Sequence, residues 1–233
     1  MARLIAPERV QQLISCATDI FIADGYRRAQ MEDIAHALGV AKGTLYGYVD
    51  GKATLFDACV RCADGHEPLP EPSRLPLQSP KPGSTVASVQ ARLLKEVSDL
   101  ELLSALTRDA PSDPSAELKS VLSDLYIRMS RNRFGIKLVD RCAKDQPELA
   151  AVWFGQGRSG QNLALARYFE LRAAKGLLRR PPNPPIAART VLETIAFWAV
   201  HRHWDPSPQS VDEASVQAAV VDQLLHGLIQ EKA

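Results

Sequence analysis

Three groups of residues have the types and spacing that could do chemistry. Cys59-x-x-Cys62, with His66 four residues on, would put two thiols and an imidazole on one face of a helix, as in a redox pair or part of a metal site. Metal sites of this kind need four ligands, and none other stands nearby. The preferred reading is two small apolar residues packing against a neighbouring helix, with a redox- or metal-responsive sensor as the alternative. Trp198, His201, Arg202, His203 and Trp204 crowd the end of another segment. Trp198 and His201 are candidates to line a small-molecule pocket, as are Trp153 and Phe154. The competing reading is core packing, with a helix end where His and Arg suit the dipole. The third group is Gly25–Phe56, GYRRAQMEDIAHALGVAKGTLYGYVDGKATLF. The sequence holds no nucleophile elbow, phosphate-binding glycine loop or HExxH, which argues against an enzyme. No cofactor and no metal are expected.

The elements that must position these residues read as helices. A chain of 233 residues suits one small module and one larger helical body. Apolar residues at 45% and charged residues at 24% are ordinary for a globular protein. The net charge of +1 does not announce nucleic acid, so such a role must rest on local placement. Cysteines at 16, 59, 62 and 142 are too few and too scattered for a disulfide scaffold. No apolar run approaches the roughly 18 residues of a membrane span. Met1 to Glu8 lack the apolar stretch of a secretory signal, so the expected compartment is the cytoplasm.

Strand signals are nearly absent, and the expected fold is all-α. Val10, Leu13, Ile14, Ala17, Ile20 and Phe21 form one apolar stripe over about 8–24, closed by Gly25. Further helices fit 31–38, 42–48 and 51–65. Six prolines between 68 and 82 break the pattern and mark 67–85 as an extended linker, between a module at 1–66 and a helical body at 86–233. In the body, Asp113-Pro114 and Asn183-Pro184 read as helix starts, the second opening a helix over about 184–204. A long helix is expected over 148–175. Ser210 and Glu213 have capping-box spacing for a last helix at 211–230.

Within Gly25–Phe56 the spacing is that of two short helices crossing tightly. Ala35 supplies the small residue at the crossing, and Gly39 the positive φ of the turn. Ile34, Leu38, Val40 and Leu45 supply the apolar lock. The steps Ala35–Gly39–Leu45 match a helix-turn-helix over about 30–49.

This segment resembles the DNA-binding domain of TetR/AcrR-family bacterial transcriptional regulators. The matching residues are Gly25-Tyr26, Met31, Asp33-Ile34-Ala35, Gly39-Val40, Lys42-Gly43-Thr44-Leu45-Tyr46, Tyr48, Lys52 and Leu55-Phe56. The resemblance implies a recognition helix at about 42–48 in the major groove. Thr44 would contact a base or phosphate, Lys42 a base edge or the backbone, and Gly43 would allow close approach. Tyr46, Tyr48 and Lys52 match phosphate-contacting positions, and Arg27, Arg28 and Gln30, just before the second helix, add candidate backbone contacts. Residues 1–64 hold seven basic and eight acidic side chains, so binding would come from placed contacts with a modest salt slope. The sequence departs from the family at Ala29-Gln30, Ala41, Gly47 and Val49. These changes remove capping hydroxyls and weaken the recognition helix, and a helical interaction protein with weakened DNA binding is a further alternative.

The resemblance further implies a C-terminal body that binds a small effector and pairs as a homodimer. The reading is a repressor released from a palindromic operator by that effector. The fourth helix is the expected lever between the two domains. The dimer candidates are the helix at 148–175 and the last helix, whose Val216, Val220, Leu224 and Leu228 form either an interface stripe or internal core.

Overall fold

The computed structural model describes residues 6–207 and 209–229. Among them the chain is helical with no strand, and an isolated bridge joins Val49 to Leu77. Contacts group Met1–Arg92 with Phe134–Trp153 as one unit, and Leu93–Arg133 with Phe154–Ala233 as a second.

In the first unit, α1 (Pro7–Asp24) carries the expected stripe, with Val10, Leu13, Ala17 and Phe21 buried. Gly25 ends it at φ 82° and donates its N–H to the Phe21 carbonyl. Phe21, Tyr26 and Phe56 form an aromatic cluster, with centroids 5.0–6.1 Å apart, close enough for edge and offset packing. Then follow α2 (Met31–Leu38), α3 (Lys42–Leu45) and α4 (Lys52–Cys62). The expected helix at 42–48 is shorter: α3 stops at Leu45, and Tyr46, Gly47 and Tyr48 form a turn. The expected helix at 51–65 stops at Cys62 and tightens into a 3-10 turn, Ala63–Gly65, where Asp64 takes a positive φ of 57°.

After the prolines, α5 spans Ser84–Val97, of which Ser84–Arg92 belong to this unit. The unit also holds α8 (Arg133–Cys142) from its second residue and α9 (Pro147–Ala150). Asp64 accepts the Phe134 and Gly135 amides at 3.0 and 2.7 Å, capping α8, and pairs with Arg92 at 3.0 Å. A Cβ at Gly135 would lie 2.7 Å from the Arg92 guanidinium, so a larger residue there would have to push the Arg92 side chain aside. Past the other end of α8, Asp145 accepts the Arg27 amide at 2.8 Å, and Arg141 donates to the Ala23 carbonyl at 3.1 Å.

The second unit contains α6 (Glu101–Thr107), α7 (Pro114–Arg131), α10 (Ser159–Ala174), α11 (Pro184–Ala199) and α12 (Glu213–Leu228). The expected long helix at 148–175 is interrupted. A π-helical stretch, Ala151–Arg158, separates α9 from α10, and its Gly155 and Gly157 are poor α-formers. The helix expected over 184–204 ends at Ala199, with a 3-10 turn at His201–Trp204. Asp113 and Asn183 cap as expected, accepting from Ser115, Ala116 and Ile186 amides. For the last helix the cap is Asp212, which accepts the Ser215 amide, rather than Ser210; residue 230 of the expected span lies outside the described residues. Val216, Val220 and Leu228 are buried within the chain, so most of that stripe is internal core. Arg172 and Glu117, both buried, pair through two hydrogen bonds of 2.7 and 3.0 Å. The remaining Arg172 N–H groups reach the carbonyls of Ala105, Arg108 and Asp109.

Candidate nucleic-acid interface

The crossing of α2 and α3 is built as the spacing requires. Gly39 is left-handed at φ 70°, ψ 35°, and its amide donates back to Ala35 and His36 while Val40 donates to Ala35. This is the bonding of a Schellman close. Ile34, Ala35, Leu38 and Leu45 are buried, which locks the two helices.

What faces solvent is a short surface. Lys42, Gly43, Thr44 and Tyr46 are exposed, and Tyr46 keeps 45% of its surface free. Space around Gly43 is open, so backbone approach is unobstructed there. Lys42 is 3.5 Å from Glu32, with both side chains largely in water; such pairs hold weakly, and a phosphate can displace the partner. Arg27, Arg28 and Gln30 are also exposed. The Arg28 guanidinium rests on the Asp24 carbonyl at 3.1 Å.

Two candidates stand elsewhere than expected. Tyr48 is buried at 6% exposure, so it presents almost no surface to a ligand. Lys52 has its ammonium engaged by the carbonyls of Tyr26, Ala29 and Arg27 at 2.9, 3.1 and 3.3 Å, and it lies 4.8 Å above the Tyr26 ring. An ammonium has three hydrogens, and three acceptors are present. Lys52 therefore clamps the loop between α1 and α2. Sequence spacing placed it correctly at the start of α4 but could not show that the loop carbonyls converge on it.

The thiols do not form a reactive pair. Burial pushes Cys59 up to about 12 and Cys62 up to about 11, and both hydrogens point at carbonyls, of Ile14 and Pro68. The thiolate is the reactive and metal-binding form, and it is disfavoured here.

The effector candidates are distributed between the units. Trp153 belongs to the first, donating its ring N–H to Asp140 at 3.2 Å. Phe154, Trp198 and His201 belong to the second. The Arg158 guanidinium lies 5.7 Å from the Phe154 ring, and Trp198 packs edge-on against Phe197. Nearby in the second unit is a polar hub that spacing did not signal. Glu213 accepts from Tyr126, Ser130, Arg133 and Arg202. Burial and the neighbouring Arg133 and Arg202 hold His203 below its ordinary value. Asp64 was also missed, although an Asp-Gly pair at a helix end is a known left-handed signal.

Residues 13–59 match the family model described as bacterial regulatory proteins, tetR family. Solved structures extend the likeness to the whole fold. The ketosteroid transcriptional regulator KstR2 of Mycobacterium tuberculosis aligns over 99% of this chain and 100% of its own, with a TM-score of 0.59 at 15% identity. A tetR-family regulatory protein from Rhodococcus RHA1 aligns over 97% and 100%, with a TM-score of 0.53 at 16% identity. AibR, in complex with isovaleryl coenzyme A and operator DNA, aligns over 93% and 98%, with a TM-score of 0.52 at 16% identity. Among the described residues no helix is long and apolar enough to cross a membrane.

Proposed function

We propose that this chain, whose residues 13–59 match the family model of bacterial regulatory proteins, tetR family, is a repressor that reads a palindromic operator and is released by a small molecule. The observation that carries this reading is the exposed face Lys42–Thr44–Tyr46, presented by a helix whose back, Leu45, is buried on α2. That is the division of labour a groove-reading helix needs. Lys42 and Thr44 would supply base or phosphate contacts and Tyr46 a phosphate contact. Arg27, Arg28 and Gln30 would flank them.

A palindrome needs two heads, so a second copy of the chain is part of the proposal. The stripe of α12 is mostly consumed internally, whereas α11 exposes Ile186 and Phe197 and α10 exposes Leu163. These make α10 and α11 the proposed dimer faces. The effector would act by favouring a dimer whose reading helices are no longer one helical turn apart, roughly 34–36 Å. Two elements of the first unit are suited to carry that change. One is α4. The other is α8, capped by Asp64 at one end and followed by the Asp145 tie to the α1–α2 loop. AibR pairs a small molecule with operator DNA; the same pairing of partners is proposed here, with Phe154, Trp198 and His201 as candidate effector contacts in the second unit.

Footprinting on the promoter region beside the chain's own gene tests the reading. Protection of two half-sites one turn apart is expected, weakened by Lys42→Ala and Tyr46→Ala. A folded chain that protects no DNA there or across a genomic library would leave the helical interaction protein as the better description.

A further inference from the structure

The proline-rich stretch folds back on the DNA-reading head. The Leu77 amide donates to the Tyr48 carbonyl at 2.8 Å, and the Leu77 carbonyl accepts from the Asp50 amide at 3.0 Å. These bonds form the bridge between Val49 and Leu77. Two residues on, Ser79 donates both its amide, at 2.6 Å, and its hydroxyl, at 2.8 Å, to one oxygen of Asp50. The other Asp50 oxygen accepts the hydroxyl of Thr54, in the first turn of α4. One carboxylate thus joins the proline-rich segment, the turn after α3 and the start of α4.

The reading helix needs such support. α3 has four residues, no side-chain cap at Ala41, glycine at 43 within it and glycine at 47 in the turn that follows. A helix that short cannot hold itself, and glycine adds backbone freedom. Leu45 fixes its inner side. The backbone groups just beyond it, the Tyr48 carbonyl and the Asp50 amide, are satisfied by Leu77 rather than by helix. The segment is stiffened in turn, since Gln78 donates to the Pro76 carbonyl at 2.9 Å. Its far side is tied down where Thr85 donates to Asp57 of α4 at 2.7 Å.

We propose that residues 76–79 are a strap that positions α3 for base reading, fastened at Leu77 and at Asp50, so that operator specificity depends on a segment outside the helix-turn-helix. Asp50 is a positioning residue and touches no base. The inference rests on the proposed reading of operator DNA by α3. The hydrogen bond from Thr54, followed by those from Ser79, holds the Asp50 carboxyl below its usual range, so the fastening is in place at neutral pH.

The sign of one substitution tests the strap. Asp50 is an exposed negative charge one turn from the reading helix. If it only repelled phosphates, Asp50→Ala would tighten binding to every DNA. If it positions α3, Asp50→Ala weakens operator binding roughly tenfold, the loss expected for hydrogen bonds to a charged group. Binding to non-operator DNA would be equal or slightly tighter. Ser79→Ala should move in the same direction by less, and Asp50→Asn should restore part of the loss. Amide exchange over residues 44–50 is measured on the same full-length variants and should rise for Asp50→Ala and Ser79→Ala. An operator-to-non-operator ratio unchanged in Asp50→Ala, with exchange over 44–50 unchanged, would overturn the strap. If the parent chain binds no operator, the regulator reading fails instead. Exchange over 44–50 then still decides whether the strap holds α3.

Discussion

Three helices in each unit begin differently. In the second unit α7, α11 and α12 start at Asp113, Asn183 and Asp212, and each side chain accepts a backbone amide of its own first turn. In the first unit α2, α3 and α4 start at Gln30, Ala41 and Gly51, and none of these side chains caps. Orphan amides at a helix start must find a partner in side chains, water or ligand. In the body α7, α11 and α12 supply these partners locally, whereas the first amide of α6 is met by Asp124 from α7. The reading head leaves its amide ends open, to water or, in the proposed function, to phosphate oxygens. It is held by tertiary contacts instead: the buried faces of Ile34 and Leu45, the Lys52 clamp and the strap at Leu77. The body is therefore locally encoded, and the head depends on its neighbours.

The largest expected effect lies in the body. Arg172→Met leaves the buried Glu117 carboxylate with only the longer contact to Arg108 and the Tyr168 hydroxyl, and breaking a buried pair costs up to about 3–5 kcal/mol. Urea unfolding should show that loss, while amide exchange over residues 31–49 stays as in the parent. The head's counterpart is Leu45→Ala, which empties a fully buried site at a cost of about 2–5 kcal/mol. Exchange over 31–49 should rise and that over 114–131 should not. If either substitution loosened both units alike, the division into a locally encoded body and a neighbour-dependent head would fail.

Alkaline pH separates the units more gently. All four cysteines, at 16, 59, 62 and 142, lie in the first unit, and burial raises Cys59 and Cys142 from 9.0 to about 12. Their folded values lie above the unfolded one, so the stabilisation is complete below pH 9 and is lost as pH climbs toward 12. Between pH 8 and 10 each should cost the first unit about 1 kcal/mol. Urea unfolding followed through Trp153 fluorescence, with Trp198 and Trp204 replaced by Phe, reads this directly. A midpoint equal at the two pH values would mean that the thiols are not shielded as the structure has them.

The body's encoding was the more legible in sequence because caps are local. Asp113-Pro114 and Asn183-Pro184 carry their hydrogen bonds within three residues. The helix-turn-helix was legible for a related reason: Ala35, Gly39 and Leu45 act on each other across short, fixed steps. Contacts between distant segments were not legible. Nothing near Asp50 says that Leu77 and Ser79 return to it. The prolines that correctly broke the helical pattern at 67–85 gave no sign of where the chain went next. Lys52 was placed on the right element without the carbonyls that engage it, and Tyr48, expected in the helix at 42–48, lies in the turn after α3, because spacing fixes a face of a helix but not the loop that covers it. The π-helical stretch at 151–158 was hidden by apolar periodicity on either side of its glycines.

The smallest effects bear most closely on the open helix starts. Asp113→Ala removes a cap that serves two amides and should destabilise the body by about 1 kcal/mol. The inverse experiment belongs to the head. Ala41 is extended, at φ −67° and ψ 146°, the conformation of a capping residue, and lacks only an oxygen. Ala41→Ser supplies it, and should stabilise the start of α3 by up to about 1 kcal/mol. Because α3 ends only four residues on, against the turn that the strap holds, that gain should slow amide exchange at 44–46. It should also reduce the loss caused by Asp50→Ala, since both changes act on the order of the same four residues and effects on one element do not add. If Ala41→Ser left the Asp50→Ala defect untouched, the cap and the strap would be stabilising different things. The head's dependence on its neighbours would then not extend to the reading helix itself.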